Sequence, residues 1–340
     1  MEIRLAIARL LERQDLTQGE ARQVMDQIMS GAATPAQIAG YVIALRMKGE
    51  TVAELTGSAE AMRDKALKIH APIEPLIDTC GTGGDGRGTF NISTTVAFVV
   101  AACGVTVAKH GNRAVSSQCG SADLLKALGV RIEVTEAVLQ RCLHEVGMGF
   151  LFAPSHHGAM KYAAEPRRDL AVRTLFNLLG PLTNPAQASC QLLGVFAGCW
   201  TEPIAQVLGR LGSRRALVVH GHDGLDELST TGPTRISELK ADGQVITREV
   251  VPEEWGMRRS ALEELRGGDV AVNAAITRSI LEGQVGPKRD IVLVNAGAAL
   301  YVAGVVSDIA TGIARAAEAI DSGAARETWH KLAAVSNASA

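Results

Sequence analysis

The stretch from Asp78 to Ser121, DTCGTGGDGRGTFNISTTVAFVVAACGVTVAKHGNRAVSSQCGS, limits what this chain can fold into more than any other part of it. Gly81, Gly83, Gly84 and Gly86 crowd together, so the backbone there can turn sharply and aim its N–H groups at an anion. Asp85 stands among them and suits a sugar hydroxyl or, through water, a magnesium ion. Thr89, Asn91, Ile92, Ser93 and Thr94 then open an apolar run that predicts a helix over 91–103. A helix start offers unpaired N–H groups and the positive end of the dipole, where phosphate is best held. A short strand over 105–108 delivers Lys109, His110, Gly111, Asn112 and Arg113 into a second loop, which continues through Ala114, Val115, Ser116 and Ser117 to Ser121. Alone, a GTGG cluster is equally at home in an ordinary turn. The succession of strand, glycine loop, hydroxyl-rich helix start, strand and cationic loop is what points to a phosphate ligand. It lacks GxxxxGK[ST], and although Gly81 to Gly86 fit the spacing GxGxxG, the helix begins only near Asn91 and the next strand ends in a cationic loop, so P-loop and dinucleotide folds are not indicated.

From Leu76 onward, short β-branched runs alternate with helical ones, which predicts an α/β domain with a mostly parallel central sheet flanked by helices. Strands are expected near 76–78, 105–108, 130–133, 149–152, 192–196, 216–220 and 291–294. Helices are expected near 91–103, 121–128, 135–146, 169–178, 202–211, 258–266, 269–282, 296–303 and 307–322. The segment 234–250 alternates around Asp242-Gly243 and reads as a small antiparallel addition, and the Ala/Ser-rich tail after His330 reads as frayed. Ahead of the sheet, Ile3, Ile7, Leu10 and Leu11 share one helical face. Three capping boxes follow, Thr17 with Glu20, Thr34 with Gln37 behind Pro35, and Thr51 with Glu54. Residues 1–71 therefore read as a small all-helical domain and 72–340 as the α/β domain, with Pro72 and Pro75 marking the linker and 155–185 adding to the helical unit. A composition 47% hydrophobic but only 4% aromatic implies an Ala/Val/Leu/Ile core, which suits helices on a parallel sheet.

A net charge of -2 with no basic block gives no electrostatic case for nucleic acid or a membrane surface. The most apolar run, Val96 to Ala108, is too short to span a bilayer. Six cysteines without CxxC spacing read as reduced thiols, and no signal-like h-region follows Glu2 and Arg4, so a cytoplasmic location is expected.

Two further constellations carry chemistry. Asp226 and Glu227 are adjacent in GHDGLDELS, past a predicted strand; a carboxylate pair can hold magnesium against substrate phosphates, and the same pair also suits a solvated acidic loop. Arg167 and Arg168 close HHGAMKYAAEPRRDL; an arginine fork matches a planar carboxylate, and an exposed pair on a helix is the alternative. His110 could donate to a substrate or simply pack at a strand end. His156-His157 and His220-x-His222 lack the partners of a zinc site. Leu175 to Pro185, LFNLLGPLTNP, reads as the segment shaping a hinge between the domains.

Taken together, GTGGDGRGTFNIST, KHGNRAVSS with GSAD after it, RRDLAVRTLFNLLGPLTNP and GHDGLDELSTTGPT resemble the four blocks of the anthranilate phosphoribosyltransferase family of tryptophan biosynthesis, in that family's order. The resemblance implies transfer of a 5-phosphoribosyl group from phosphoribosyl pyrophosphate to the amine of anthranilate. It implies a donor site over Gly81, Gly84, Asp85, Thr89, Asn91 to Thr94, Lys109 to Ser117 and Ser121. Anthranilate would meet Gly81, Asn112 and Arg167, with Arg168 a structural neighbour. Magnesium, two ions per subunit, would take Ser93, Asp226 and Glu227, and a homodimer would form through the helical domain. Where the family has His-Pro this chain has His157-Gly158, and Glu165-Pro166 stands for Pro-Val. Two rivals share the architecture: a pyrimidine nucleoside phosphorylase, which has no use for an Asp-Glu magnesium pair, and a non-catalytic nucleic-acid-binding relative, which would carry a basic surface.

Overall fold

Three of the first four helices start at the capping boxes. The computed structural model describes residues 1–71, 73–114 and 118–338. Helices α1 (Ile3–Leu11), α2 (Gln18–Met29), α3 (Pro35–Lys48) and α4 (Val52–Lys65) form a bundle, and Thr17, Thr34 and Thr51 each cap a helix while the third residue on returns the bond. Glu54 does more than close its box. Its buried carboxylate accepts from Leu16 N at 2.9 Å and Thr51 N at 2.8 Å and pairs with Lys48 at 3.0 Å, tying two interhelical turns together.

The second domain is built on seven strands, β1 (Leu76–Gly81), β2 (Thr106–Gly111), β3 (Met148–Phe152), β4 (Cys190–Gly194), β5 (Arg215–Gly221), β6 (Thr234–Leu239) and β7 (Val245–Val250), in the order β3-β2-β1-β4-β5-β6-β7. The first five are parallel, and β6 and β7 add an antiparallel hairpin around Asp242-Gly243. Strand order grows outward from β1 in both directions, so the topological switch falls between β1 and β4. The carboxyl ends of these two strands open the crevice where α/β sheets hold ligands.

Helices α5 (Ile92–Ala102), α6 (Ser121–Ala127), α7 (Glu136–Arg141), α8 (Ala153–His156), α9 (Lys161–Leu170), α10 (Leu175–Leu179), α11 (Thr201–Arg210), α12 (Val270–Leu281), α13 (Pro287–Val302), α14 (Ile309–Asp321) and α15 (Ala324–Asn337) cover the sheet or join the bundle. Helix α5 is apolar on every side because it lies between the sheet and α13 and α15. Helices α9 and α10 pack on α2, α3 and α4, and share one hydrophobic cluster with them. Among the described residues no helix is long and apolar enough to cross a membrane.

Five expectations are corrected. The alternating stretch 130–133 buries Val130 and Ile132 but joins no ladder: Val130 N bonds to Leu125 O, and Arg131 N to Ser336 Oγ on α15. Ile291 to Val294 lies inside α13, a helix buried almost all round, and a four-residue apolar run carries no period to tell helix from strand. Of 258–266 only Leu262–Leu265 winds, as a 3-10 turn, because its neighbours bond to other loops instead: Ser260 N to Thr230 O and Phe90 N to Leu265 O. The helix expected over 169–178 is two helices. One starts earlier, at Lys161, and accommodates Pro166 in its interior; it ends where Ala171 turns left-handed, and the next starts after Thr174. The tail stays helical to Asn337, since Leu332 and Ser336 are buried and Trp329 Nε1 donates to Leu128 O.

Candidate active site

At the switch point the tips of β1 and β4 are both glycine, and the reason is Asp226. A Cβ on Gly81 would overlap its carboxylate, and one on Gly194 would overlap its backbone carbonyl. Two bare strand tips thus let an acid from the loop after β5 sit in the crevice. From Gly81 the chain enters the glycine loop with Gly83, Gly84, Gly86 and Gly88 at φ of 67°, 73°, 71° and 68°, conformations that other residues adopt only with strain. Asp226 Oδ2 accepts from Gly83 N at 2.9 Å, Thr82 N donates to Gly194 O at 2.9 Å, and Phe196 N donates to Thr82 Oγ1 at 3.0 Å. Asp85 accepts from Arg87 N at 3.1 Å. The far end of the loop is pinned by Phe90 N to Leu265 O at 3.1 Å and by an antiparallel bridge between Thr89 and Arg266.

The loop runs into α5, which Asn91 caps by accepting from Thr94 N at 3.2 Å, while Asn91 N is held by Asn273 Oδ1 at 2.8 Å. Ile92 is a core residue. Thr94 is fully buried, and its hydroxyl has no partner among the described residues. Ser93 Oγ accepts from Lys109 Nζ at 3.2 Å. Lys109 is itself buried and also donates to Thr79 O; burial draws its pKa down, while Asp78 and then Cys80 and Glu227 pull it back up.

Sequence reasoning passed over the support under this lysine. Asp78 is completely buried, and burial pushes its carboxyl up to about 6 despite Lys109 and hydrogen bonds from Asn184 Nδ2 at 2.8 Å and His110 N at 3.2 Å. An aspartate in the apolar run LIDTC was the signal, since a buried carboxylate must have partners.

The acid turn is equally braced. Asp223 accepts from Ser229 Oγ, Thr231 Oγ1 and, at 3.0 Å, Leu225 N. Asn295 of α13, fully buried, clamps Leu228 by accepting its N–H at 3.0 Å and donating to its carbonyl at 2.9 Å. Neither residue was singled out from sequence; Asn295 is the one polar side chain in IVLVNAGAAL and could have been. Between these braces Asp226 and Glu227 are held above the usual carboxylate range, first by burial and then by each other's neighbourhood: Asp85 acts on Asp226, and Asp226 on Glu227. Gly83 N–H opposes this at Asp226 and Lys109 at Glu227. Among the described residues no ion pair involves Asp85, Asp226 or Glu227, and no three His, Cys, Asp or Glu side chains converge as a closed metal cage. A pair of under-neutralised carboxylates beside a phosphate-type loop fits magnesium, which takes one or two carboxylates and completes its shell with water and substrate phosphate.

The second loop follows β2. Asn112 O accepts from Ala122 N at 3.2 Å and Ser121 Oγ at 3.3 Å, and Ala114 N and Gly120 N both donate to Asp123 Oδ2 at 3.0 Å. Gly111 lies against Ser121, and Arg113 rests over the Phe152 ring at 5.7 Å while pairing with Glu133 at 3.5 Å. Val115, Ser116 and Ser117 lie outside the described residues. Gly81, Gly83, Ser93, Lys109, Asp226 and Glu227 are thus gathered at one crevice, with Asn112 and Ser121 at the neighbouring strand tip.

His110 is buried with its Nε2 3.2 Å from Nε2 of His157. Burial lowers His110 far below the ordinary histidine value and His157 to about 4; His157 and His156 further disfavour charge on His110, and His156 on His157. Both are therefore neutral at pH 7. His157 keeps its full stabilising effect above pH 6.5 and loses it as pH falls toward 4, because the unfolded chain protonates first. At pH 5 the loss from this group is on the order of 2 kcal/mol. Thermal unfolding of His157→Asn should accordingly fall less steeply between pH 7 and pH 5 than that of the parent; parallel curves would refute the buried neutral pair.

Arg167 and Arg168, indistinguishable in sequence, differ here. Arg168 is exposed and bonded to Asp169 at 3.2 Å. Arg167 is partly buried over the Phe176 ring at 5.4 Å, burial lowers its pKa, and no ion pair involves it among the described residues. At the family departures, Gly158 opens a 3-10 turn after the short α8, and Pro166 is buried inside α9.

Comparison with known proteins agrees with this geometry. Residues 4–66 match the glycosyl transferase family helical bundle domain and residues 73–326 the glycosyl transferase family a/b domain, so the chain belongs to that class of transferases. The anthranilate phosphoribosyltransferase of Geotalea uraniireducens is 56% identical over 349 residues, covering 98% of this chain and 99% of its own; that of Thioalkalivibrio sulfidiphilus is 56% identical over 332 residues, covering 98% of each. Among solved structures, anthranilate phosphoribosyltransferase from Thermus thermophilus superposes with a TM-score of 0.93 at 45% identity, covering 98% of this chain and 99% of its own. The Saccharomyces cerevisiae protein, in complex with PRPP and Mg, gives 0.88 at 25% identity over 98% and 97% of the chains. Within the glycosyl transferases, this chain is a member of the anthranilate phosphoribosyltransferase family of tryptophan biosynthesis.

Proposed function

We propose that the crevice between β1 and β4 transfers the 5-phosphoribosyl group of phosphoribosyl pyrophosphate to the amine of anthranilate, releasing pyrophosphate. The observation that carries this reading is Asp226 seated on the Gly83 N–H, which puts a phosphate loop and a metal-type acid into one site. The donor lies along Gly81, Gly84, Asp85, Thr89 and Asn91 to Thr94, and reaches Lys109 to Ser117 and Ser121 on the second loop. Ser93, Asp226 and Glu227 would hold magnesium, two ions per subunit, and when bound the metal neutralises charge on the departing diphosphate.

The residues of the chain do the rest by position. Lys109, steadied by Asp78, adds a fixed cation behind Ser93, where it draws negative charge without approaching the ribose carbon. Departure of the diphosphate leaves positive charge on the ribose ring, so no protein nucleophile is needed. Anthranilate meets Gly81, Asn112 and Arg167, the guanidinium over Phe176 taking the ortho carboxylate. Its aromatic amine is neutral at pH 7 and needs no strong base. Catalysis rests on alignment and on fixed charge.

The helical domain, which we bound at residues 1–71 with 155–185 added, closes over the 72–340 domain and keeps water from the activated donor. Exposed Leu5, Leu11, Met47, Tyr162 and Val172, all on helices of that unit or the turns between them, support a homodimer through it. Six free cysteines support a cytoplasmic location.

Incubation with magnesium, phosphoribosyl pyrophosphate and anthranilate should quench anthranilate fluorescence. A folded sample that leaves the fluorescence unchanged would remove this function; phosphorolysis of a pyrimidine nucleoside, or binding of nucleic acid, would replace it with one of the rival readings.

A further inference from the structure

Between α9 and α10 the chain makes a short exposed turn, and its Arg173 reaches across to the glycine loop. The Arg173 guanidinium lies over the Phe196 ring at 4.6 Å, and its Nη2 donates to the carbonyl of Gly84. Its own backbone carbonyl accepts from Arg46 on α3 of the helical bundle. Phe196, the platform under the guanidinium, simultaneously holds Thr82 through its N–H at 3.0 Å.

The Gly84–Asp85 peptide is trans and planar, so its C=O and N–H point to opposite sides. Whatever fixes the Gly84 carbonyl therefore aims the Asp85 N–H. The glycines of the loop do little to fix that plane: Gly83, Gly84 and Gly86 have positive φ and no side chains, so rotating the peptide meets little resistance from them. A plane turned the wrong way would show an anionic ligand a carbonyl oxygen in place of a donor.

Resting on the reading of this loop as the donor site, we propose that Arg173 is a positioning residue. It pins the Gly84 carbonyl outward so that the Asp85 N–H faces the diphosphate of the donor, and Arg46 links that setting to the helical bundle. Arg173 touches neither substrate. Its effect falls on donor affinity, and the planar stack on Phe196 makes arginine, and not merely a positive charge, the residue required.

Steady-state kinetics of the full chain test this. Arg173→Ala should raise KM for phosphoribosyl pyrophosphate roughly ten- to hundredfold, the range expected for losing a charge-assisted hydrogen bond, with KM for anthranilate changed by less than about twofold. Arg173→Lys should fall between parent and alanine variant. Phe196→Leu, which removes the platform and leaves the charge, should raise donor KM several-fold. Arg46→Ala should shift donor KM in the same direction by less. Equal effects of Arg173→Ala on both KM values, or none on either, would overturn the proposal. Gly84→Val separates its failure from that of the donor-site reading: if Gly84→Val weakens the donor and Arg173→Ala does not, only the role of Arg173 falls. If neither variant weakens the donor, the loop assignment falls and this inference with it.

Discussion

Asp226→Asn should cut turnover roughly hundredfold or more, and shift the magnesium dependence to higher concentration, while leaving the metal-free protein at least as stable as the parent. The two halves have one cause. Asparagine keeps the shape and can still accept from Gly83 N, so the crevice persists. What disappears is a carboxylate that burial and Asp85 hold above its ordinary range. With the folded pKa raised, the charged form opposes folding: stability is greatest at low pH and declines as pH rises through the folded value. Thermal unfolding of the metal-free variant at pH 8 should therefore occur no lower than that of the parent, and magnesium should protect the parent more. An unchanged metal profile would take Asp226 out of the site.

Arg167→Ala should raise KM for anthranilate about a hundredfold while that for phosphoribosyl pyrophosphate moves little, since a bidentate bond to a carboxylate supplies on the order of 3 kcal/mol. The guanidinium stands over Phe176 and, among the described residues, has no carboxylate of its own to leave. Arg168→Ala removes only an exposed pair with Asp169 and should lie within about twofold of the parent. Equal loss of affinity for both substrates in Arg167→Ala would contradict the assignment. A larger loss in Arg168→Ala would transfer the role to its neighbour.

Much of this architecture is visible in the residues themselves. Capping boxes at Thr17, Thr34 and Thr51 declare their helices because each is a local hydrogen-bond device. The glycine loop declares itself because so many glycines serve no ordinary strand or helix. Local pattern fails where tertiary partners decide. Val130 and Ile132 alternate like a strand, yet Val130 bonds back to α6 and Arg131 to α15; Ile291 to Val294 is apolar because α13 is buried, not because it is extended. The supporting layer of the site is hidden for the same reason. Asp78, Asn184 and Asn295 gain meaning only from residues far along the chain that they hold, such as Lys109, His110 and Leu228. Arg167 and Arg168 are alike on paper and are told apart by what each has beside it.

The bare tips of β1 and β4 also restrict how this chemistry can change over generations. Two strands have each given up a side chain to admit one turn, Gly81 to the carboxylate of Asp226 and Gly194 to its backbone carbonyl, so a variant that fills either tip must displace Asp226. Single substitutions at the strand tips are closed by that overlap, which favours divergence in the acceptor pocket around Arg167 while the diphosphate grip stays as it is.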